Sequence, residues 1–193
     1  MMEAKIQKQV TDYFSFFDEY NTAAKSSLRE CQNHADVINK LIKRCKNIKA
    51  AQVARSPLAK FEDLQSKLCA YQHKRITEYI NLIYHKQCVL EKLAENLYLK
   101  NQALRESCRE IDLNDLNLTV VKGSPIQPSL KQLLEYADDT ISFASHTCAQ
   151  IDTALKSLPL TKLDTEQFAD HFSYPIQWFK RISEIIQYTA FMF

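Results

Sequence analysis

Glycine is almost missing from this sequence. In 193 residues there is one, Gly123, where average usage would supply about 13. Strand-rich and α/β folds need glycine at tight turns and close backbone approaches, so its scarcity points to long helices with few turns. A P-loop or a dinucleotide fingerprint needs clustered glycines, and a nucleophile elbow needs G-x-S-x-G. One glycine makes none of these. No C-x-x-C pair occurs among the six cysteines, at 31, 45, 69, 88, 108 and 148. They read as free thiols of a reducing compartment, Cys31, Cys45, Cys108 and Cys148 sitting on apolar seams.

A helical di-metal site needs E-x-x-H. The residues three before the histidines are Cys31, Ala70, Leu82, Phe143 and Phe168, and none is acidic. Cys69 and His73 are the one close pair of ligand type on a shared helix face, with no second pair to match it. The sequence therefore predicts no catalytic residue, no metal and no cofactor, and the chain is not read as an enzyme. No run of 18 apolar residues is present, and MMEAKIQKQV lacks the apolar centre of a signal peptide. A cytoplasmic and nuclear protein without membrane contact is expected. The net charge of +2 is too small to imply general nucleic-acid binding.

What the sequence has in quantity is apolar residues at steps of three and four. Ile6, Val10, Tyr13, Phe17, Tyr20, Ala24, Leu28, Cys31, Ala35, Ile38, Ile42 and Cys45 form a heptad seam with one stutter at Ala24. They predict a helix over 4–55, with Asn21-Thr22 as the place for a bend. Ser56 and Pro57 read as the cap and first position of a second helix over 58–111. Its seam is read as Phe61, Leu64, Leu68, Tyr71, Tyr79, Ile83, Leu90, Leu93, Leu97, Leu104, Cys108 and Ile111. Ile80, Leu82 and Tyr84 add a second apolar face of the kind seen in helices sandwiched between neighbours.

Residues 112–127 hold the glycine, Pro125 and a crowd of Asn and Asp, and read as a loop in which LTVV is extended. Pro128-Ser129 opens a third helix to 158, with Leu130, Leu134, Ala137, Ile141, Ala144, Cys148, Ile151, Leu155 and Leu158 as its seam. Short helices over 161–172 and 175–190 follow. The fold class is all-α: an elongated antiparallel bundle of three long helices plus short C-terminal helices, in a single domain over 1–193.

Two stretches stand out as surfaces. From Val37 to Phe61 there are seven basic residues and no acid. Lys40, Lys43, Arg44, Lys46, Lys49 and Arg55 are candidate contacts for an acidic protein or for RNA phosphates. The plainer reading is a solvated face balanced by Glu106, Glu110 and Asp112. The segment has no aromatic residue for base stacking, which favours an indirect over a direct RNA contact. At the other end, Trp178, Phe179, Ile182 and Ile186 are candidate partner-helix contacts, in a segment that closes on the apolar Phe191, Met192 and Phe193.

The order of residues also carries a resemblance. SSLRECQ (26–32) holds Leu28, Arg29, Glu30, Cys31 and Gln32. KAAQVARSPLAKFEDLQSKLCAYQ (49–72) holds Ala50, Ala51, Gln52, Phe61, Asp63, Leu64 and Leu68. QPSLKQLLEYADDTI (127–141) holds Pro128, Ser129, Leu133, Leu134, Glu135 and Tyr136. These elements, collinear over about 13–182, resemble the AIRIM family of AAA ATPase-interacting ribosome maturation factors, relatives of CINP. The ending YTAFMF departs from the longer, more acidic tail of that family. The resemblance implies a helical adaptor of a AAA ATPase assembly. Its partners would be the ATPase and a CINP-like helical protein, and its task the recycling of shuttling factors from large-subunit precursors. A structural or tethering coiled coil and an RNA-binding module using the 37–60 face are the alternatives.

Overall fold

The unbroken spacing from Ile6 to Cys45 produces one helix, α1 (Met2–Ala50), of 49 residues. In this computed structural model the described residues are 2–51, 57–61, 63–109, 111–115, 117–124, 127–158 and 168–190. The other helices are α2 (Leu64–Cys108), α3 (Thr119–Lys122), α4 (Leu130–Lys156) and α5 (Ile176–Thr189), with 3-10 turns at Pro57–Lys60 and Ala169–Phe172. Among the described residues there is no strand, only an isolated bridge between Ser124 and Gln127.

All twelve seam residues of α1 are buried. The helix is continuous through Asn21 and Thr22, where a bend was expected. Asn21 is itself buried, and its side-chain oxygen accepts a hydrogen bond from the Tyr174 hydroxyl at 3.1 Å. A satisfied amide no longer competes for the helix backbone. At the other end Gln65 Nε2 donates to the carbonyls of Ile48 and Ala51, each at 2.7 Å. It thereby satisfies two of the carbonyls that a helix C-terminus leaves open.

Helix α2 starts later than Pro57 predicts. Pro57 begins a 3-10 turn, and Asp63 takes a left-handed φ of 58° before α2 begins at Leu64. The expected cap, Ser56, lies outside the described residues. The buried line of α2 is Cys69, Ile76, Ile83, Leu90, Leu97 and Leu104, continued by Ile111: every seventh residue. The second half matches the predicted seam. The first half is shifted by one position, because Leu68 and Tyr71 are exposed while Cys69 and Ile76 point inward. Leu82 and Tyr84 are exposed as well, so no neighbour within the described chain covers that second apolar face.

The loop is tied by Asx turns, Asp112 accepting from the Asn114 N–H and Asp115 from the Asn117 N–H. LTVV is not extended. Thr119–Lys122 forms one helical turn whose Val120 N–H donates to Glu3 at 2.8 Å. That carboxylate meets the free donors at the start of the turn, which fixes it as a helix. Gly123 follows with φ 73°, and a Cβ there would lie 2.8 Å from the Ser129 nitrogen. The single glycine thus sits where conformation and space both require it. Helix α4 then begins behind Ser129, whose hydroxyl accepts from the Gln132 N–H at 3.4 Å.

On α4 the fully buried line is Leu130, Leu133, Ala137, Thr140, Ala144, Thr147, Ile151 and Ala154. Every second member was predicted. The alternate layer uses Leu133, Thr140, Thr147 and Ala154 in place of Leu134, Ile141, Cys148 and Leu155, which are half-buried. The threonines are buried without loss because Thr140 donates to the Ala137 carbonyl and Thr147 to that of Phe143.

The chain divides into two compact units, one of residues 1–26, 89–149 and 174–193, the other of 27–88 and 150–173. In the first, Phe143 is the hub. Its ring lies 6.3 Å from Phe17, 6.2 Å from Tyr20, 5.6 Å from Tyr174 and 6.2 Å from Trp178. The Tyr13 hydroxyl bonds Thr140 at 2.6 Å, and Arg181 pairs with Asp139 at 2.7 Å. In the second unit α1 and α2 run antiparallel: Glu30 pairs with Lys86 at 2.7 Å, and His34 lies 5.6 Å from the Tyr79 ring. Gln150 bridges the carbonyls of His171 and Ser173.

Candidate partner-binding surfaces

The basic stretch lies on the second half of α1. Lys40, Lys43, Arg44, Lys46 and Lys49 are all exposed, and Arg55 lies outside the described residues. The seam Ile38, Leu41, Ile42 and Cys45 is turned inward, so Lys40, Lys43 and Arg44 at i, i+3 and i+4 share the outer side of the helix. Among the described residues no carboxylate forms an ion pair with Lys40, Lys43, Arg44 or Lys49. Glu106 and Asp112, the acids named for a balanced face, belong to the other compact unit. Glu110 lies outside the described residues.

A second surface is carried by the start of α2 and the turn before it. Leu58, Phe61, Leu68, Tyr71 and Leu82 are between 40% and 58% exposed. Leu68, Tyr71 and Leu82 share one side of α2, and monomer surfaces seldom gather large exposed apolar groups in this way. Lys60, Lys67 and Lys74 stand exposed among them, with the Lys60 ammonium 5.3 Å from the Phe61 ring centre. This face escaped the sequence pattern because its leucines were assigned inward. The signal was present: counting back by sevens from Ile83 reaches Ile76 and Cys69, not Leu68.

The C-terminal candidates separate. Ile182 is buried in the core of its own unit, Ile186 is half-buried, and Trp178 is half-buried against Phe143. Phe179 is exposed, as is Ile176, the most exposed large apolar residue described at 85%. Ile176, which the spacing reads as the first apolar residue of this helix, stands at the very start of α5 behind Pro175.

Groups with chemical potential are held quiet. Burial pushes the Cys31 thiol up to about 12, and it also raises Cys45, Cys108 and Cys148 above the ordinary thiol range. The Tyr174 phenol is pushed up to about 12 by burial alone. A protonated, buried thiol is a packing group rather than a nucleophile. Among the described residues no three metal-ligating side chains converge. His73, the partner considered for Cys69, is exposed, whereas the Cys69 thiol contacts Cys45. A groove of about 890 Å³ is lined by Glu3, Gln7, Thr119, Lys122, Gly123 and Gln127 among others. Its polar groups are engaged with one another: Glu3 with Thr119 and Val120, and Gln127 Nε2 with Gln7 at 2.8 Å. The Thr119 hydroxyl and then the Val120 N–H hold the Glu3 carboxyl below its usual range. No helix among the described residues is long and apolar enough to cross a membrane.

Among the described residues, the exposed basic and apolar sides of α1 and α2 are the surfaces that stand out. A comparison with known families gives that surface a context: the profile of the C1orf109-like ribosome biogenesis proteins matches residues 4–183. The chain belongs to this family. The match bears out the resemblance to the AIRIM family, and it runs from the first turn of α1 into the middle of α5. The family is one of ribosome biogenesis proteins by its name. A search of curated proteins finds no match.

Proposed function

We propose that this chain is a non-catalytic helical adaptor subunit of a AAA ATPase complex. In this reading it acts in maturation of the large ribosomal subunit, where the complex recycles shuttling assembly factors. It pairs with a second small helical protein of CINP-like character and works in cytoplasm and nucleus, and the ATP chemistry belongs to the partner. The observation that carries the reading is the exposed apolar row of α2 set among lysines, in a member of a ribosome biogenesis family. Such a row suits a protein partner, since sheltering it from water contributes about 25 cal/mol per Å² of apolar surface. The buried, protonated thiols and phenols support a packing role for the groups an enzyme would otherwise activate.

Affinity purification of the chain from its native cells, with mass spectrometry, tests this. Recovery of a AAA ATPase together with a second small helical protein is the expected result. Recovery of the chain alone, or with cytoskeletal proteins only, overturns it and favours a tethering coiled coil. A second reading, RNA binding, is favoured by the exposure of Lys40, Lys43 and Arg44 without carboxylate partners among the described residues. It predicts binding of rRNA fragments that falls steeply with salt, and no binding at low salt ends it.

A further inference from the structure

We propose that the exposed line of α2 seats one amphipathic helix of a partner protein, whose apolar stripe is flanked by Asp and Glu. The proposal rests on the adaptor reading and names the surface and the partner chemistry that reading needs. The positions are Leu64, Leu68, Tyr71, Arg75, Glu78 and Leu82, at steps of four, three, four, three and four; Leu64 and Arg75 are half-buried and the others exposed. That is the spacing of a packing seam, and it lies one position to the side of the buried line Cys69, Ile76 and Ile83. Tyr71 and Leu82 are 58% and 47% exposed, and Leu58 and Phe61 extend the apolar surface past the start of α2. Arg75 and Glu78 interrupt the leucines midway, as polar residues do where a seam must fix one register.

The edge beside this line is already built. Tyr79 and Lys86 are the α2 residues that meet His34 and Glu30 of α1. They stand next to the line on the helix surface, so an incoming helix meets an α1–α2 edge rather than a solitary rod.

Charge selects the occupant. Lys67 and Lys74 border the line, Arg75 stands in it and Lys60 precedes it, against the described acids Asp63 and Glu78. The compact unit that carries it holds 14 Lys and Arg against 9 Asp and Glu. Carboxylates flanking the partner's stripe answer that excess, and like charges facing each other weigh against a second copy of this chain. RNA would engage the lysines but leave Leu64, Leu68 and Leu82 without use, because base stacking needs aromatic faces.

The test places the photo-crosslinking residue benzoylphenylalanine at position 71, 82 or 131 of the full chain in its native cells. Lys131, exposed on α4, is the control. Crosslinked peptides are sequenced by mass spectrometry. The expected result is one protein captured from positions 71 and 82 and not from 131, at sites about 16 Å apart along a helix. That segment should carry an apolar 3-4 repeat bordered by Asp and Glu. The double substitution Lys67→Glu with Lys74→Glu should cut the crosslink yield at least tenfold while leaving the melting temperature unchanged. Capture of a second copy, of RNA, or of a segment without acidic flanks overturns the proposal, as does no capture at all. The ATPase still co-purifying while positions 71 and 82 capture nothing sinks this docking line alone. Failure of wild-type chain to bring down any ATPase sinks the adaptor reading instead.

Discussion

Two adjacent residues of α2 put its one-sided burial to the test. Ile83 is 0% exposed and Leu82 is 47% exposed, although the two differ little in size or hydrophobicity. Truncating a buried isoleucine to alanine removes apolar contacts and leaves a cavity, a cost of about 2–5 kcal/mol. We take about 3 kcal/mol for Ile83→Ala. In a chain of this length each kcal/mol moves the melting temperature by about 2–4 °C, so a fall of about 6–12 °C is expected. Leu82→Ala removes a side chain that water already reaches, and should cost less than about 1 kcal/mol, or about 3 °C. The assay is thermal unfolding followed by helix circular dichroism, with urea titration beside it. Equal losses from the two substitutions would refute the reasoning. They would mean that α2 is covered on both sides, as its apolar content by itself predicts.

Gly123→Ala should destabilise by about 2 kcal/mol, since a Cβ at φ 73° would press within 2.8 Å of the Ser129 backbone; an unchanged urea midpoint would show that this turn relaxes freely. Tyr13→Phe and Thr140→Val, made singly and together, should show a coupling of about 1 kcal/mol across their 2.6 Å bond. Additive losses would indicate that the two hydroxyls stabilise independently. Burial pushes the Cys31 thiol up to about 12, above the ordinary value of about 8.5. The folded state therefore keeps its proton to higher pH, so this contribution is intact below about pH 8.5 and is lost as pH rises toward 12. The slope approaches about 1.4 kcal/mol per pH unit for this one thiol. Urea midpoints of wild type and Cys31→Ala measured from pH 8 to 10.5 should converge as pH rises, and parallel curves would count against the assignment.

Helix α1 was legible because its apolar seam, large from Ile6 to Tyr20 and mixed with Ala and Cys after that, repeats without a rival pattern. Helix α4 was legible in half its layers. Ala137, Ala144 and Ile151 were found, but Ile141 and Leu155 were preferred to Thr140 and Ala154 because they are less polar or bulkier, and Leu134 to its twin Leu133 by the four-residue step from Leu130. The alternative becomes readable only when Thr140 is seen donating to the Ala137 carbonyl and meeting Tyr13. On α2 the error was one of phase. Leucine and tyrosine outweighed cysteine and isoleucine at 68–76, and that slip placed the exposed side of α2 inside the core. The turn at Thr119–Lys122 depended on Glu3, more than a hundred residues away, and no local pattern carries such a contact. Of the basic residues, the sequence established their crowding. Their exposure came from the inward set of Ile38, Leu41 and Ile42.

The difference between the two longest helices bears on the proposed partner. Helix α1 buries 16 of its 49 residues, and α2 buries 9 of 45. An amphipathic helix of a self-sufficient bundle usually hides three or four residues in every two turns. The α1 count approaches that, and α2 falls well short of it. Yet α2 is not polar: its uncovered surface includes Leu68, Tyr71, Leu82, Tyr84, Tyr98 and Leu99. Selection for solubility alone would have replaced such residues with Lys or Glu at little cost, because exposed helix positions tolerate them. Leu68, Tyr71 and Leu82, at seam spacing beside lysines, are what a helix retains when its second side is completed by another chain, as proposed above. In that view the seven-residue repeat of α2 builds the fold, and the line beside it assembles the complex.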